Sequence, residues 1–111
     1  MSSTKGYLNF VLEQLSGLDD IQYRAMMGEF VIYYRQKIIG GIYDDRFLIK
    51  PVKSAISMVL NPIYESPYEG GKAMLLVEEV DDKVFLTQLI TKMYEELPEP
   101  KKKKIKNKSV V

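Results

Sequence analysis

The chain contains no cysteine, no histidine and no tryptophan among its 111 residues. Without Cys or His it cannot form a Ser-His-Asp or Cys-His nucleophile pair, a zinc site of the usual sulfur and nitrogen type, a disulfide framework or a thiol redox centre. No side chain titrates near neutrality at its ordinary pKa. These absences argue against most hydrolases and oxidoreductases, and a non-enzymatic protein with no cofactor and no metal is expected. Long apolar runs are missing too, since none approaches the roughly 20 residues that span a bilayer. The opening Met-Ser-Ser-Thr-Lys-Gly lacks the basic region and apolar core of a secretory signal. A cytoplasmic location and no membrane partner are therefore expected.

What is present looks like an ordinary folded domain, with 46% hydrophobic and 28% charged residues in a length suited to one domain. The net charge of +1 hides an asymmetry. Residues 1–97 carry 10 Lys and Arg against 14 Asp and Glu, and residues 98–111 carry 6 Lys against Glu99 alone. Nearly all apolar residues lie in the first part. Pro98 and Pro100 mark the junction between an acidic folded body, 1–97, and a flexible lysine-rich tail, 98–111.

Along the body the hydrophobic period changes repeatedly. Leu8, Val11, Leu12 and Leu15 form one helical stripe, with Ser3 or Thr4 as N-cap and Gly17 as a left-handed C-terminal stop. From Ile21 the period is two, and Tyr23, Ala25 and Met27 continue a half-buried strand that Gly28 interrupts as a bulge or turn. Phe30–Arg35, Ile38–Tyr43 and Arg46–Lys50 read as further strands. They are separated by a polar turn at Arg35-Gln36-Lys37 and a tight turn at Asp44-Asp45, with a bend or close approach at Gly40-Gly41. Pro51 opens a helix carrying Val52, Ile56, Val59 and Leu60 on one face, and Asn61-Pro62 ends it. Tyr64–Gly71 is expected to be loop, and Ala73–Val77 a strand buried on both faces. Asp81 or Asp82 caps a last helix with a wide apolar face of Phe85, Leu86, Leu89, Ile90, Met93, Tyr94 and Leu97. The order α-β-β-β-β-α-β-α predicts an α+β fold, a mostly antiparallel sheet of about five strands with flanking helices.

The segment Arg24-Ala-Met-Met-Gly-Glu-Phe-Val-Ile-Tyr33 resembles the signature of the TfoX N-terminal domain family. The similarity continues through Gly41-Ile-Tyr-Asp-Asp-Arg-Phe-Leu-Ile-Lys50 and Pro67-Tyr68-Glu-Gly70, covering most of residues 5–97. Glu29 and Val31 stand where many members carry glycine. The resemblance implies an α+β fold like that of YjbR-like proteins. It also implies a role like that of the Sxy/TfoX regulators of natural competence, which act through protein contacts with a transcription regulator, the cyclic-AMP receptor protein. Those regulators carry a second domain, whereas residues 98–111 here are lysine-rich.

Several constellations carry candidate chemistry. Arg24, Tyr33 and Lys50, on strands expected to neighbour one another, suggest a small anionic-ligand pocket; their alternative is cross-strand charge pairing. Met26 and Met27 beside Gly28 suggest an adaptable partner surface or simply core. Lys101, Lys102, Lys103, Lys104, Lys106 and Lys108 suggest phosphate contacts with nucleic acid through the tail only, or a solvated tail. Tyr23, Tyr33, Tyr34 and Tyr43 suggest base stacking or core packing. Glu78, Glu79, Asp81 and Asp82 form the densest acidic cluster, each explicable as a strand end or cap. The apolar face of the last helix and the methionine pair each either offer a surface for a homodimer or simply fill the monomer's core.

Overall fold

The computed structural model describes residues 3–99. Helix α1 (Lys5–Gln14) is followed by strands β1 (Ile21–Met26), β2 (Glu29–Tyr34), β3 (Lys37–Ile42) and β4 (Phe47–Ile49). Then come α2 (Lys53–Met58), β5 (Tyr64–Glu65), β6 (Met74–Leu76), α3 (Lys83–Met93) and a single 3₁₀ turn at Tyr94–Glu96. All strands join one antiparallel sheet in the order β1-β2-β3-β4-β6-β5. The fold is α+β, with one strand more than expected. The extra strand is Tyr64–Glu65, which pairs with Leu75 and Met74 inside the segment expected to be loop.

Two residues join β1 to β2 and β2 to β3, and between β3 and β4 Tyr43 and Arg46 exchange backbone hydrogen bonds around a two-residue centre. Met27 and Gly28 (φ 54° and 85°), Arg35 and Gln36 (50° and 74°), and Asp44 and Asp45 (both 54°) occupy the central positions. Positive φ at both places gives a turn whose twist matches that of the flanking strands. One consequence corrects an expectation: Lys37 is not part of the polar turn but the first residue of β3, and it is buried. In β3, Gly40 faces Ile32 while Ile38 faces Tyr33, leaving Ile39 as the extra residue of a bulge. A Cβ on Gly40 would run into the Leu48 carbonyl oxygen, and one on Gly41 into the Phe30 carbonyl oxygen. Only glycine permits the approach of these strands.

The helices cover one sheet face. Phe30, Ile32, Ile39, Ile42, Phe47, Ile49, Leu75 and Val77 meet Leu8, Val11 and Leu15 of α1 and Leu86, Leu89, Ile90 and Met93 of α3. Each fully buried Leu, Ile or Phe contributes about 1.5–3 kcal/mol, so this face carries most of the stability. Thr4 Oγ1 accepts from the Tyr7 N–H at 3.1 Å and Asp82 Oδ1 from the Phe85 N–H at 3.0 Å, fixing the starts of α1 and α3. The apolar face of α3 is spent on this core.

Other local expectations are corrected. Gly17 is not left-handed; a Cβ there would sit 3.1 Å from Thr87 Oγ1, so it serves the approach to α3. Pro51 precedes α2, whose N-cap is Val52, and Leu60 is 87% exposed beyond the end of that helix. β1 is a mostly exposed edge strand rather than a half-buried one. β6 buries Leu75 and leaves Met74 and Leu76 partly exposed, because no helix among the described residues packs on its second face.

Candidate ligand and partner-binding face

Strand alternation and register place the sequence-derived candidates on the second, helix-free face of the sheet. Gln22, Tyr33 and Ile38 form one cross-strand row, and Arg24, Val31, Gly41, Leu48 and Leu76 form the next. Met26 and Glu29 begin a third beside the Met27-Gly28 turn. Lys50 and Tyr43 follow Ile49 and Ile42 and so return to this face. Arg24 and Lys50 are not on neighbouring strands: β2 and β3 lie between them. No ion pair joins either one to a carboxylate among the described residues.

Although no helix among the described residues covers this face, Val31, Leu48 and Tyr43 are buried. Their cover is the loop 66–72, where Pro67 is buried and the Tyr68 ring meets the Tyr43 ring edge to face at 6.4 Å between centroids. On either side of this contact the loop leaves a cleft. The larger, about 740 Å³, is lined by Met26, Met27, Glu29, Asp44, Arg46 and Tyr68 among others. The smaller, about 410 Å³, has an apolar floor of Val31, Ile38, Tyr43 and Met74 with Lys50 and Lys72 at its walls. Met26, Tyr43, Pro67 and Tyr68 line both.

The expected grouping of Arg24, Tyr33 and Lys50 in one pocket is therefore corrected. Arg24 and Tyr33 share a shallow hollow of about 250 Å³ with Gln22 and Gln36, whereas Lys50 belongs to the smaller cleft with Met26. Gly28 lines neither cleft and serves the turn. Met26 and Met27 are 48% and 96% exposed, so they form surface and not core. The tyrosines do not make one stacking platform: Tyr23 and Tyr34 face the helix side, with Tyr34 buried, and Tyr33 and Tyr43 the other. Tyr43 was a candidate only for base stacking, and Tyr68 and Lys72 were not among the candidate residues. Tyr43 lay within Gly41-Ile-Tyr-Asp-Asp-Arg and Tyr68 within Pro67-Tyr68-Glu-Gly70, whereas Lys72 carried no sequence signal.

The charges divide the two clefts. Glu29 accepts from the Ser3 hydroxyl and, at 3.1 Å, from the Asp44 N–H, while Asp45 Oδ1 accepts from the Thr4 N–H at 2.8 Å. These carboxylates tie the start of α1 to the strand turns. Arg46 is spent on Glu65, the Tyr43 carbonyl and the Ser66 carbonyl. Lys50 and Lys72 are the charged side chains that line the smaller cleft. Burial, then the neighbouring Tyr68, Glu29 and Tyr33, pushes the Tyr43 hydroxyl above its ordinary pKa. It is a neutral donor at physiological pH. The smaller cleft thus combines an apolar floor, two phenol rings and two ammonium groups.

Glu78, Glu79, Asp81 and Asp82 do not converge, and no group of three or more acidic residues among the described residues is arranged to hold a metal ion. No helix among them is long and apolar enough to cross a membrane. The tail lysines, Lys101 to Lys108, lie outside the described residues.

No family model matches the chain, and no solved structure matches it. It is similar to an uncharacterized 12.7 kDa protein in the trpE 5′ region of Spirochaeta aurantia, with 29% identity over 110 residues that span 98% of this chain and 96% of that protein.

Proposed function

We propose that the protein is a non-enzymatic interaction domain whose helix-free sheet face receives an acidic, apolar segment of a protein partner. The observation that carries this is the pairing of Lys50 and Lys72 with the apolar floor of the smaller cleft. Exposed Met26, Met27 and Tyr68 extend that surface. Methionine adapts to irregular partner shapes, and tyrosine supplies rigid contact area with a polar tip. In the competence-type role that the TfoX resemblance implies, the partner is a transcription regulator.

The test is photo-crosslinking in native lysate from a photoreactive residue at position 68. The wild-type background is compared with Lys50→Glu/Lys72→Glu. Recovery of a transcription regulator by the first and its loss in the second supports the proposal. Recovery of no regulator, or equal recovery by both, refutes it.

A second reading rests on the volume of the same cleft. About 410 Å³ falls within the range of small-molecule sites, and its lining suits an amphipathic anion such as an aromatic carboxylate. Thermal-shift screening of such compounds discriminates. Stabilisation of the wild type that disappears in Lys50→Glu/Lys72→Glu favours the small ligand, and no stabilisation by any of them removes it.

A further inference from the structure

The outer edge of β1 carries a separate and more determinate signal. The β1–β2 hairpin closes through Met26 and Glu29 on either side of a two-residue turn. At its other end the Arg35 N–H donates to the Asp20 carbonyl at 3.0 Å. Hydrogen-bonded pairs alternate along an antiparallel ladder. Asp20, Gln22, Arg24 and Met26 therefore direct their backbone groups inward to β2. Ile21, Tyr23 and Ala25 present N–H and C=O outward, where no strand among the described residues pairs with them.

Edge strands are ordinarily protected by proline, bulges, brevity or several charges. The opposite edge uses brevity, since β5 is two residues long. β1 has six residues, no proline, no bulge and Arg24 as its single charge. It lacks each of these protections.

We propose that β1 pairs antiparallel with β1 of a second copy about a two-fold axis at Tyr23, joining two sheets into one. Bonding geometry allows only registers in which Ile21, Tyr23 and Ala25 face one another. Centred on Tyr23, Ile21 lies opposite Ala25 of the second copy and Tyr23 opposite its own counterpart on the helix side. On the other side Arg24 lies opposite Gln22. A shift one way sets Arg24 against Arg24, a like-charge pair that destabilises a sheet. A shift the other way shortens the ladder to Ile21–Tyr23. The Tyr23-centred register is the one that keeps a five-residue ladder and separates the two arginines. Each contact off the axis then occurs twice, as a two-fold interface requires. This surface is separate from the Lys50–Lys72 cleft and does not depend on its occupant.

Sedimentation equilibrium on the full chain over a wide concentration range tests the pairing. A reversible dimer is expected for the wild type. Gln22→Glu places a carboxylate opposite each Arg24 and tightens the dimer about tenfold, while Gln22→Lys weakens it by about the same factor, each pair counting twice. Ala25→Pro removes an outward N–H and leaves the bonds to β2 intact, as edge prolines do; a monomer with an unchanged circular dichroism spectrum is expected. A wild type that stays monomeric at the highest attainable concentration overturns the proposal. So does a dimer whose affinity ignores both Gln22 substitutions. The Gln22 pair keeps the test decisive if Ala25→Pro does not fold.

Discussion

The ammonium of Lys37 sits 4.2 Å from the centroid of the Tyr94 ring and 3.1 Å from the Tyr94 carbonyl oxygen. A lysine at 6% exposure needs such partners, because an unpaired buried charge is costly. Here the ring face and the carbonyl replace lost water at the point where α3 ends. The Tyr94 ring also meets Tyr34 edge to face at 5.4 Å, so one lysine ties the end of the last helix to the middle of the sheet.

Lys37→Met keeps the packing of the stem but loses the charge, its ring contact and one of the two donors to the Tyr94 carbonyl, which still accepts from the Leu97 N–H at 3.2 Å. A loss of about 1–2 kcal/mol in urea unfolding is expected. Glu99 also approaches Lys37, at 3.5 Å, but it is 80% exposed. Glu99→Gln is therefore expected to cost under about 0.5 kcal/mol.

The Arg35-Gln36 turn holds two ordinary residues at φ 50° and 74°, a conformation that costs an L-residue about 1–2 kcal/mol. Gln36 is exposed. Gln36→Gly removes that strain, offset in part by the greater freedom of glycine in the unfolded chain. A net gain of about 0.5–1 kcal/mol is expected, visible as a higher urea midpoint with an unchanged slope.

Glycines elsewhere respond in opposite directions. Gly41→Ala drives a methyl against the Phe30 carbonyl oxygen and the Tyr43 ring, and a loss of about 3 kcal/mol or failure to fold is expected. Gly6, inside α1, has nothing within 4 Å of an added Cβ. Gly6→Ala should stabilise by about 0.5–1 kcal/mol, measured by the same denaturation.

The raised pKa of Tyr43 has a definite sign. Burial, followed by Tyr68, Glu29 and Tyr33, keeps its proton on in the folded state at a pH where the unfolded chain has begun to release it. Its contribution to stability is complete below the ordinary tyrosine value near 10 and is lost as pH rises through the folded value. Tyr7, raised by burial and by Asp45, acts in the same direction. Thermal melts from pH 8 upward should show a fall in Tm beginning near pH 10. Tyr43→Phe should make that fall shallower, with tyrosinate absorbance lost from the most alkaline transition.

The strands and both long helices were legible because their apolar periods are long enough to repeat. Thr4 or Ser3, Asp82 or Asp81, and the glycine pair in β3 were legible because capping and close backbone approach need those residue types. Tyr64–Glu65 was not, since two residues carry no period and their pairing depends on Met74 and Leu75. Lys37 was hidden by its polarity: the partners that permit its burial are more than fifty residues away. The candidate face was half legible. Arg24, Met26, Tyr33 and Lys50 do share one side of the sheet, since alternation is a local property. Their division between two cavities depends on strand order and on the 66–72 loop, neither of which is written in any single segment.

The two-residue turns also bear on how the molecule assembles. Each of the pairings β1–β2, β2–β3 and β3–β4 joins neighbours in the chain, so little loop-closure entropy opposes them. β6 reaches β4 only across α2 and β5, and α1 and α3 seal the core from opposite ends of the described chain. Contact order is therefore lowest in the meander and highest where β6 and the helices dock. Low contact order goes with fast folding, so the meander is the natural early folding unit. In that interval the free edge of β4 lacks β6, and both sides of the young sheet stand open until the later elements arrive.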